Sequence, residues 1–379
     1  MTEARFSPLH DLHVAAGASF TDFAGWQMPV RYTSDLDEHH AVRERAGIFD
    51  ISHMAEIDVT GPDAAAYLDY ALAGELSAVQ IGQAKYTLLL NEAGGVVDDL
   101  IVYRRAEDRF LVVANAGNRE PVVHALRERI GGHRAVMVDV SDDMSLIAVQ
   151  GPAARAIVES CAGLSVAGGL EALEALGYYR FLEATFDGAE ALVARTGYTG
   201  EDGFELYVAP EDAAALWQAL VTAGEAHGLS YAGLAARDTL RLEVGMPLYG
   251  HELGLDIMPH QAQLERTVAL AKPGDFVGRA SIEHYDPAGR RVLVGLAAEG
   301  RRAARADYDL FASEDSDVVI GAITSGVLSP TLGHPIAMAL VDPEYAEVGA
   351  TLSADIRGKR LDYTVTKLPF YKRSNERKK

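Results

Sequence analysis

Two adjacent carboxylates, Asp98 and Asp99, interrupt an apolar run from Gly94 to Tyr103 that otherwise predicts a buried β-strand. Successive side chains of a strand point to opposite faces, so these two carboxylates cannot face the same space. We expect one to face solvent and the other to face the interior. An ionised carboxylate is expensive to bury without partners, so the inward-facing one is a candidate for chemistry. On this segment alone, a polar turn where the strand begins is an equally good interpretation.

Other single polar residues lie in apolar or glycine-rich surroundings, and they extend the set of candidates. They are Tyr86, Tyr103, Asn115, Tyr198, Glu205 and Arg237. Asp99 and Tyr103 lie four residues apart on one strand, so by parity they share a face. Each residue alone has a structural explanation, because tyrosines cap cores and charged residues on a helix pair with their neighbours. Their joint occurrence is what favours a functional site.

Motifs for several common chemistries are missing from the sequence. It contains neither a phosphate-binding loop, nor a dinucleotide fingerprint, nor the Gly-x-Ser-x-Gly turn of the serine hydrolases. His251 and Glu252 begin like a zinc-protease helix, but Leu255 stands where the second histidine is required. The single cysteine, Cys161, excludes a disulfide framework and suits a reducing cytosol. We therefore expect no metal.

Composition limits the partners and the compartment. The chain has 379 residues, of which 49% are hydrophobic, and this length suggests roughly two or three domains. A formal charge of −21 argues against nucleic acid as a ligand. The sequence shows no secretion signal at its start and no apolar run of about 18 residues, so we expect a cytoplasmic protein outside the membrane. Local positive charge for an anionic partner is concentrated at Arg301, Arg302 and Arg305.

The chain repeats itself internally. Ile57–Ala65 and Ile147–Arg155 both predict a short strand, a Gly-Pro turn and a helix. Each is followed by a second strand and helix, so we predict two copies of an α+β unit, in which the Asp98-Asp99 strand of the first copy corresponds to residues 194–203 of the second. From about Arg291 onward, short apolar runs broken by turns predict a small antiparallel barrel or sandwich.

Several long strings closely resemble the aminomethyltransferases, the T-protein family of the glycine cleavage system. These strings are Phe23–Val30 with Tyr32, Gly47–Met54, Gly94–Tyr103, Arg195–Glu205, Gly233–Glu243, Thr324–Gly333 and Pro369–Tyr371. The resemblance covers nearly the whole chain and implies an α+β fold of three domains in a cloverleaf-like arrangement. The implied domains are residues 1–52 with 143–255, residues 53–142, and a linker with a C-terminal antiparallel β-barrel at residues 256–379.

The resemblance also implies site residues, with tetrahydrofolate as the co-substrate in a central channel. By motif position Asp99 matches the catalytic acid beside the reactive folate nitrogens. Glu205, Arg237 and Tyr371 match ligand-contacting positions, and the implied walls of the pocket are Tyr86, Tyr103, Asn115 and Tyr198. A carboxylate such as Glu205 can accept hydrogen bonds from the amide and amino edge of a pterin, while tyrosines supply flat apolar area.

The reaction implied by the resemblance moves an aminomethyl group from the lipoyl arm of H-protein to tetrahydrofolate, forming 5,10-methylenetetrahydrofolate and releasing ammonia. H-protein is an acidic carrier in that system, and Arg301, Arg302 and Arg305 are our candidates for docking it. One segment, Met258–Arg266, departs from the family pattern and leaves the donor open. Two alternatives therefore stand: a folate-dependent demethylase of a methylated amine or sulfonium donor, and a folate-binding regulator without turnover. The retained site residues favour an enzyme.

Overall fold

The computed structural model describes residues 4–373 and contains a mixed set of strands and helices. The strands in chain order are β1 (Arg5–Phe6), β2 (Ser19–Phe23), β3 (Trp26–Arg31), β4 (Ala46–Asp50), β5 (Ala55–Thr60), β6 (Gln83–Leu90), β7 (Val96–Ala106), β8 (Arg109–Ala114), β9 (Val136–Asp139), β10 (Ser145–Gln150), β11 (Leu164–Val166), β12 (Phe181–Phe186), β13 (Ala189–Ala194), β14 (Gly203–Val208), β15 (Leu229–Tyr231), β16 (Val292–Ala297), β17 (Asp309–Phe311), β18 (Val319–Leu328), β19 (Pro335–Val341), β20 (Thr351–Asp355) and β21 (Arg360–Thr366). The helices are α1 (His10–Ala15), α2 (Asp35–Glu44), α3 (Ala64–Ala71), α4 (Arg119–Arg129), α5 (Ala154–Glu159), α6 (Gly169–Ala175), α7 (Pro210–Gly224), α8 (Leu234–Glu243) and α9 (Arg279–Glu283).

The chain divides into two compact units. Among the described residues, the first contains residues 4–87 and 99–237, and the second contains residues 88–98 and 238–373. The prediction of a mixed α+β fold with a C-terminal antiparallel barrel is confirmed. The three domain ranges that the resemblance implies stay a prediction.

Two sheets of the fold share a run of four strands in the same order, which supports the predicted duplication. One sheet has the order β6-β7-β8-β5-β9, and the other has the order β11-β12-β13-β14-β10-β4-β15. Within these orders, β6-β7-β8-β5 corresponds to β12-β13-β14-β10, and α3 and α5 follow equivalent strands. The counterpart of the Asp98-Asp99 strand is therefore β13. The expectation that residues 194–203 are its counterpart is wrong, because most of that segment is the loop that follows β13.

A hydrophobic core stabilises the seven-stranded sheet. Its central strands β10 and β14 are buried along their whole length, and each pairs antiparallel with its neighbours. Helix α7 begins at Pro210, which suits the first helical turn because no hydrogen bond is lost there. Its buried residues Ala213, Leu216, Trp217 and Leu220 follow the helical spacing of an apolar stripe and join the core with α5.

Strand alternation on β7 is as the sequence predicts, but the exposure of the two carboxylates is different. Val96, Asp98, Leu100 and Val102 lie on one face and are all buried, whereas Asp99 on the opposite face keeps some accessible surface. The expectation that one carboxylate faces solvent is therefore wrong. Both faces of this strand are covered by protein, and the Asp98 side chain is completely buried.

The second unit contains a closed barrel with the order β16-β19-β18-β17-β20-β21. All of its pairings are antiparallel, and its interior is an apolar cluster that includes Leu296, Ile323 and Tyr363. The candidate docking residues Arg301, Arg302 and Arg305 are exposed on the connection between β16 and β17.

The segment that departs from the family pattern, Met258–Arg266, lies in the second unit and is fastened to the barrel. The Gln261 side chain donates to the carbonyl oxygen of Arg291 at 2.9 Å, and the Gln263 side chain donates to that of Leu293 at 2.6 Å. The amide side chains of this segment therefore satisfy backbone groups where β16 begins.

Candidate active site

Asp99 is held by two side-chain donors in the first unit. The Tyr86 hydroxyl donates to Asp99 Oδ2 at 3.0 Å, and Asn115 Nδ2 donates to Asp99 Oδ1 at 2.8 Å. Tyr86 lies on β6 and Asn115 directly follows β8, and these two strands flank β7 in the sheet. Each carboxylate oxygen of Asp99 therefore accepts a hydrogen bond from one of these two side chains.

Burial raises the pKa of Asp99 above its usual value, and the hydrogen bonds from Tyr86 and Asn115 oppose that rise. Removal from water disfavours the charged form, while donors aimed at the carboxylate favour it. The side chain nevertheless keeps some accessible surface. Asp99 is therefore a carboxyl group whose pKa is raised by burial, and such a group suits acid–base or charge-stabilising work.

A second carboxylate, Glu205 on β14, ends a buried chain of hydroxyl groups. Thr196 Oγ1 donates to Glu205 Oε2 at 2.5 Å, and the Thr196 hydroxyl lies 3.2 Å from that of Tyr103. The Tyr207 hydroxyl donates to Tyr103 at 2.9 Å. Burial raises the pKa of Glu205, while the Thr196 hydrogen bond and the positive charge of Arg237 lower it.

Arg237 supplies positive charge near Glu205. It lies on α8, and its guanidinium carbon is 4.8 Å from the centre of the Tyr198 ring. Burial lowers the pKa of Arg237, and Glu205 opposes that shift. The nearby His53 is buried, and its pKa is lowered to about 4, first by burial and then by the charge of Arg237. His53 is therefore neutral at neutral pH.

Tyr179 connects the two carboxylates electrostatically. Burial raises its pKa, and the charges of Glu205 and Asp99 add to the rise. Its backbone φ is +57°, a conformation that bulky residues rarely adopt, and it is fixed from both directions. The Ala84 N–H donates to the Tyr179 carbonyl at 2.8 Å, and the Tyr179 N–H donates to the carbonyl of Arg195 at 3.0 Å.

Several of these side chains are partly accessible and yet strongly desolvated. Asp99, Tyr86, Tyr179 and Arg237 all keep part of their surface accessible, yet burial is the largest influence on the pKa of each. Groups with that combination have restricted access to bulk water.

The structure places the predicted site residues in two groups. Asp99, Tyr86, Tyr103, Asn115, Tyr198, Glu205 and Arg237 all belong to the first unit. Tyr371 belongs to the second unit, where its backbone N–H donates to the carbonyl of Glu243 at 2.7 Å. In residues 4–373, histidine, cysteine and acidic side chains form no group of three or more that could hold a metal ion. No helix in this described range is long and apolar enough to cross a bilayer.

Sequence reasoning missed four residues of this region: His53, Tyr179, Thr196 and Tyr207. Tyr207 was within reach of the alternation argument, because it lies two residues after Glu205 on the same strand. His53 and Thr196 stand inside the strings that carry the family resemblance, but no spacing marks them as polar partners. Tyr179 lies outside regular structure, where no periodicity exists to place its ring.

Comparison with known protein families agrees with this arrangement. Residues 9–272 match the family model described as the GCVT N-terminal domain, and residues 291–372 match the glycine cleavage T-protein C-terminal barrel domain. The fold, taken with these matches, defines an enzyme of the folate-dependent transferase class.

The chain is 57% identical to the aminomethyltransferase of Cutibacterium acnes, over 99% of this chain and 100% of that protein. It is 42% identical to the aminomethyltransferase of Desulfitobacterium hafniense, over 98% of this chain. Its structure is similar to that of the glycine cleavage system aminomethyltransferase T from Bartonella henselae, with a TM-score of 0.89, 37% identity and 98% and 99% of the two chains covered. The chain belongs to the aminomethyltransferase family.

Proposed function

We propose that this enzyme transfers the aminomethyl carbon from the reduced lipoyl arm of H-protein to tetrahydrofolate, giving 5,10-methylenetetrahydrofolate and ammonia. The observation that most directly supports the proposal is the Asp99 carboxylate, which the side chains of Tyr86 and Asn115 hold in one orientation. The full-length similarity to proteins named aminomethyltransferase favours an aminomethyl donor over a methylated amine or sulfonium donor.

The residues of the site fit tetrahydrofolate. The pterin of a folate has an edge of amide and amino donors, and Glu205 presents a carboxylate that can accept them. Tyr86, Tyr198 and Tyr179 supply flat apolar surface with polar ends. We assign Arg237 to binding with Glu205, and Tyr371 to the same ligand by its position in the family motif. Tetrahydrofolate supplies the nitrogen nucleophiles that take up the carbon.

Asp99 acts on the charge that develops during the transfer. When the carbon–nitrogen bond to ammonia breaks, positive charge grows on the carbon that is attached to the lipoyl sulfur. A fixed carboxylate next to that carbon stabilises the transition state more than the ground state. The hydrogen bonds from Tyr86 and Asn115 fix the orientation of the carboxylate and favour its ionised form. As the folate N–H groups attack, Asp99 accepts a proton from one of them, the carbon–sulfur bond breaks, and the lipoyl sulfur leaves as a thiol once it takes up a proton.

An enclosed site would bring the two reactants close together and exclude water. Two reactants held face to face in a narrow space react as if they were parts of one molecule. Exclusion of water protects the activated carbon, since water would otherwise release it as formaldehyde. Burial dominates the pKa shifts of Asp99, Tyr86 and Tyr179, and this supports a site with little access for bulk water.

H-protein requires a docking surface on a chain whose formal charge is −21. We propose that the exposed residues Arg301, Arg302 and Arg305 provide local positive charge for an acidic carrier. Arg305 also donates to the carbonyl of Gly326 at 3.2 Å, which fixes part of this surface to β18. Charges at the rim of an interface mainly raise the association rate, and salt weakens them.

Turnover with tetrahydrofolate and aminomethyl-loaded H-protein tests the proposal. We expect the Asp99→Asn variant to bind tetrahydrofolate but to lose about 100- to 1000-fold in kcat, because a charge matched to the transition state is removed. A parallel reaction with methylated amine and sulfonium donors in place of H-protein should give no product. Turnover with those donors alone, or full activity of Asp99→Asn, would contradict the proposal.

A further inference from the structure

Gln150, at the end of β10, forms hydrogen bonds to a single loop through both the nitrogen and the oxygen of its side-chain amide. We call residues 195–202, between β13 and β14, the site loop. Gln150 Nε2 donates to the backbone carbonyl of Thr196 at 3.1 Å, and Gln150 Oε1 accepts from Thr199 Oγ1 at 2.9 Å. The Gln150 side chain is completely buried, so neither bond is exchanged with bulk water.

Gly197 and Gly203 have no side chain, and the Gln150 amide occupies the space that their Cβ atoms would fill. A Cβ atom added at Gly197 or at Gly203 would overlap the amide group of Gln150. At Gly197 the backbone φ is not in the left-handed region, so close approach and not backbone conformation requires glycine there. The site loop is therefore shaped around the Gln150 amide.

Further bonds hold the second half of the site loop against α2 and join the two ends of the loop. Arg43 of α2 donates to the carbonyl of Thr199 at 2.6 Å and forms a buried ion pair with Glu201 at 3.0 Å. Arg195 pairs with Asp202 at 2.8 Å. Each of these ion pairs joins two groups of opposite charge. Gln150 adds an uncharged contact at Thr196 in the first half of the loop, beside the hydrogen bond from Thr196 to Glu205.

The first half of the site loop carries two residues of the active site. Thr196 donates to Glu205, and Tyr198 lies against the guanidinium of Arg237. We infer that Gln150 is a positioning residue for tetrahydrofolate binding, which acts by holding Thr196 and Tyr198 in place against Glu205 and Arg237. Gln150 itself does not touch the ligand. The inference rests on the proposed function, because it assumes that Glu205 and Arg237 bind the folate.

A pair of substitutions at this position separates positioning from general packing. Gln150→Met keeps the shape and removes both hydrogen bonds, so we expect the dissociation constant for tetrahydrofolate to rise about tenfold at every pH. Gln150→Glu should bind tetrahydrofolate differently in its two protonation states. Its carboxylic acid form can accept from Thr199 and donate to the Thr196 carbonyl, whereas its carboxylate form places a charged oxygen against that carbonyl. Burial raises the pKa of such a carboxyl, so the acid form is the one present at lower pH.

The measurement is the dissociation constant of tetrahydrofolate for wild type and both variants between about pH 8.5 and about pH 5.5. Each value is divided by that of wild type at the same pH, which removes the titration of Glu205 and Asp99. We expect the Gln150→Glu ratio to fall toward one as the pH falls, and the Gln150→Met ratio to stay constant. A Gln150→Glu ratio that does not change with pH, or wild-type binding by Gln150→Met, would overturn the inference.

Thr199→Val covers the case in which substitutions at position 150 do not fold. It removes the bond to Gln150 Oε1 together with the 3.3 Å bond that Thr199 Oγ1 accepts from the Glu201 N–H, and it should raise the dissociation constant about threefold with little change in Tm. Wild-type binding by Thr199→Val would then overturn the inference. Glu205→Gln distinguishes the two proposals. If Glu205→Gln binds tetrahydrofolate as wild type does, the proposed function fails. If Glu205→Gln binds tetrahydrofolate more weakly but Gln150→Met binds it as wild type does, only the positioning role of Gln150 is overturned.

Discussion

Removing the Tyr86 hydroxyl should move the pH dependence of the enzyme in a direction that the structure dictates. Tyr86 donates to Asp99 at 3.0 Å, and this hydrogen bond lowers the pKa of Asp99 against the effect of burial. A hydrogen bond to a charged group contributes about 1.5–3 kcal/mol. Since about 1.4 kcal/mol corresponds to one pKa unit, Tyr86→Phe should raise the pKa of Asp99 by about one to two units.

The direction of the change in pH dependence follows from which protonation state of Asp99 is active. The proposed mechanism uses the carboxylate, so activity is present above the pKa of Asp99 and is lost as the pH falls through it. A higher pKa in Tyr86→Phe therefore moves the acid limb of kcat/KM to higher pH by about one to two units. Well above that limb the variant keeps most of its activity, because Asn115 still holds the other carboxylate oxygen.

The assay is kcat/KM for loaded H-protein at saturating tetrahydrofolate across the acid range, since kcat/KM reports ionisations of the form that binds this substrate. Tyr67→Phe is the matched control. It also removes a buried tyrosine hydroxyl, but that hydroxyl donates to the carbonyl of Leu126 and not to Asp99. We expect Tyr67→Phe to leave the acid limb where wild type has it. An unshifted limb in folded Tyr86→Phe, or an equal shift in Tyr67→Phe, would refute the assignment of Asp99.

Three further predictions follow from the same contacts. Glu205→Gln should weaken tetrahydrofolate binding by about 1.5–3 kcal/mol in calorimetric titration, because a neutral amide replaces a charged acceptor; an unchanged dissociation constant would remove Glu205 from the site. Asp98→Asn should lower the free energy of unfolding by about 1–3 kcal/mol in urea titration, because the change turns one acceptor oxygen of a completely buried side chain into an NH2 donor; wild-type stability would contradict that reasoning. Replacing Arg301, Arg302 and Arg305 by glutamate should raise the KM for loaded H-protein several-fold at low salt and flatten its salt dependence, with folate affinity unaltered; unaltered H-protein kinetics would place the docking surface elsewhere.

The amino-acid sequence alone determined the family, the class of fold and the local elements. Apolar runs broken by turns after Arg291 predicted the barrel, because strand length and alternation are properties of a local segment. The paired strand–turn–helix strings predicted a duplication, and the matching strand orders of the two sheets support it. Parity along one strand correctly placed Asp98 and Asp99 on opposite faces.

Tertiary structure decided what covers each of those faces. Alternation states that two side chains point apart, but it does not state what packs above them, so Asp98 was buried against expectation. The partners of Glu205 show the same limit. Thr196 is nine residues away along the chain, whereas Tyr103, which continues its hydroxyl chain, is 93 residues from Thr196. Contacts of that kind depend on how two sheets pack, and packing depends on the shapes of many side chains at once and not on the period of any one segment.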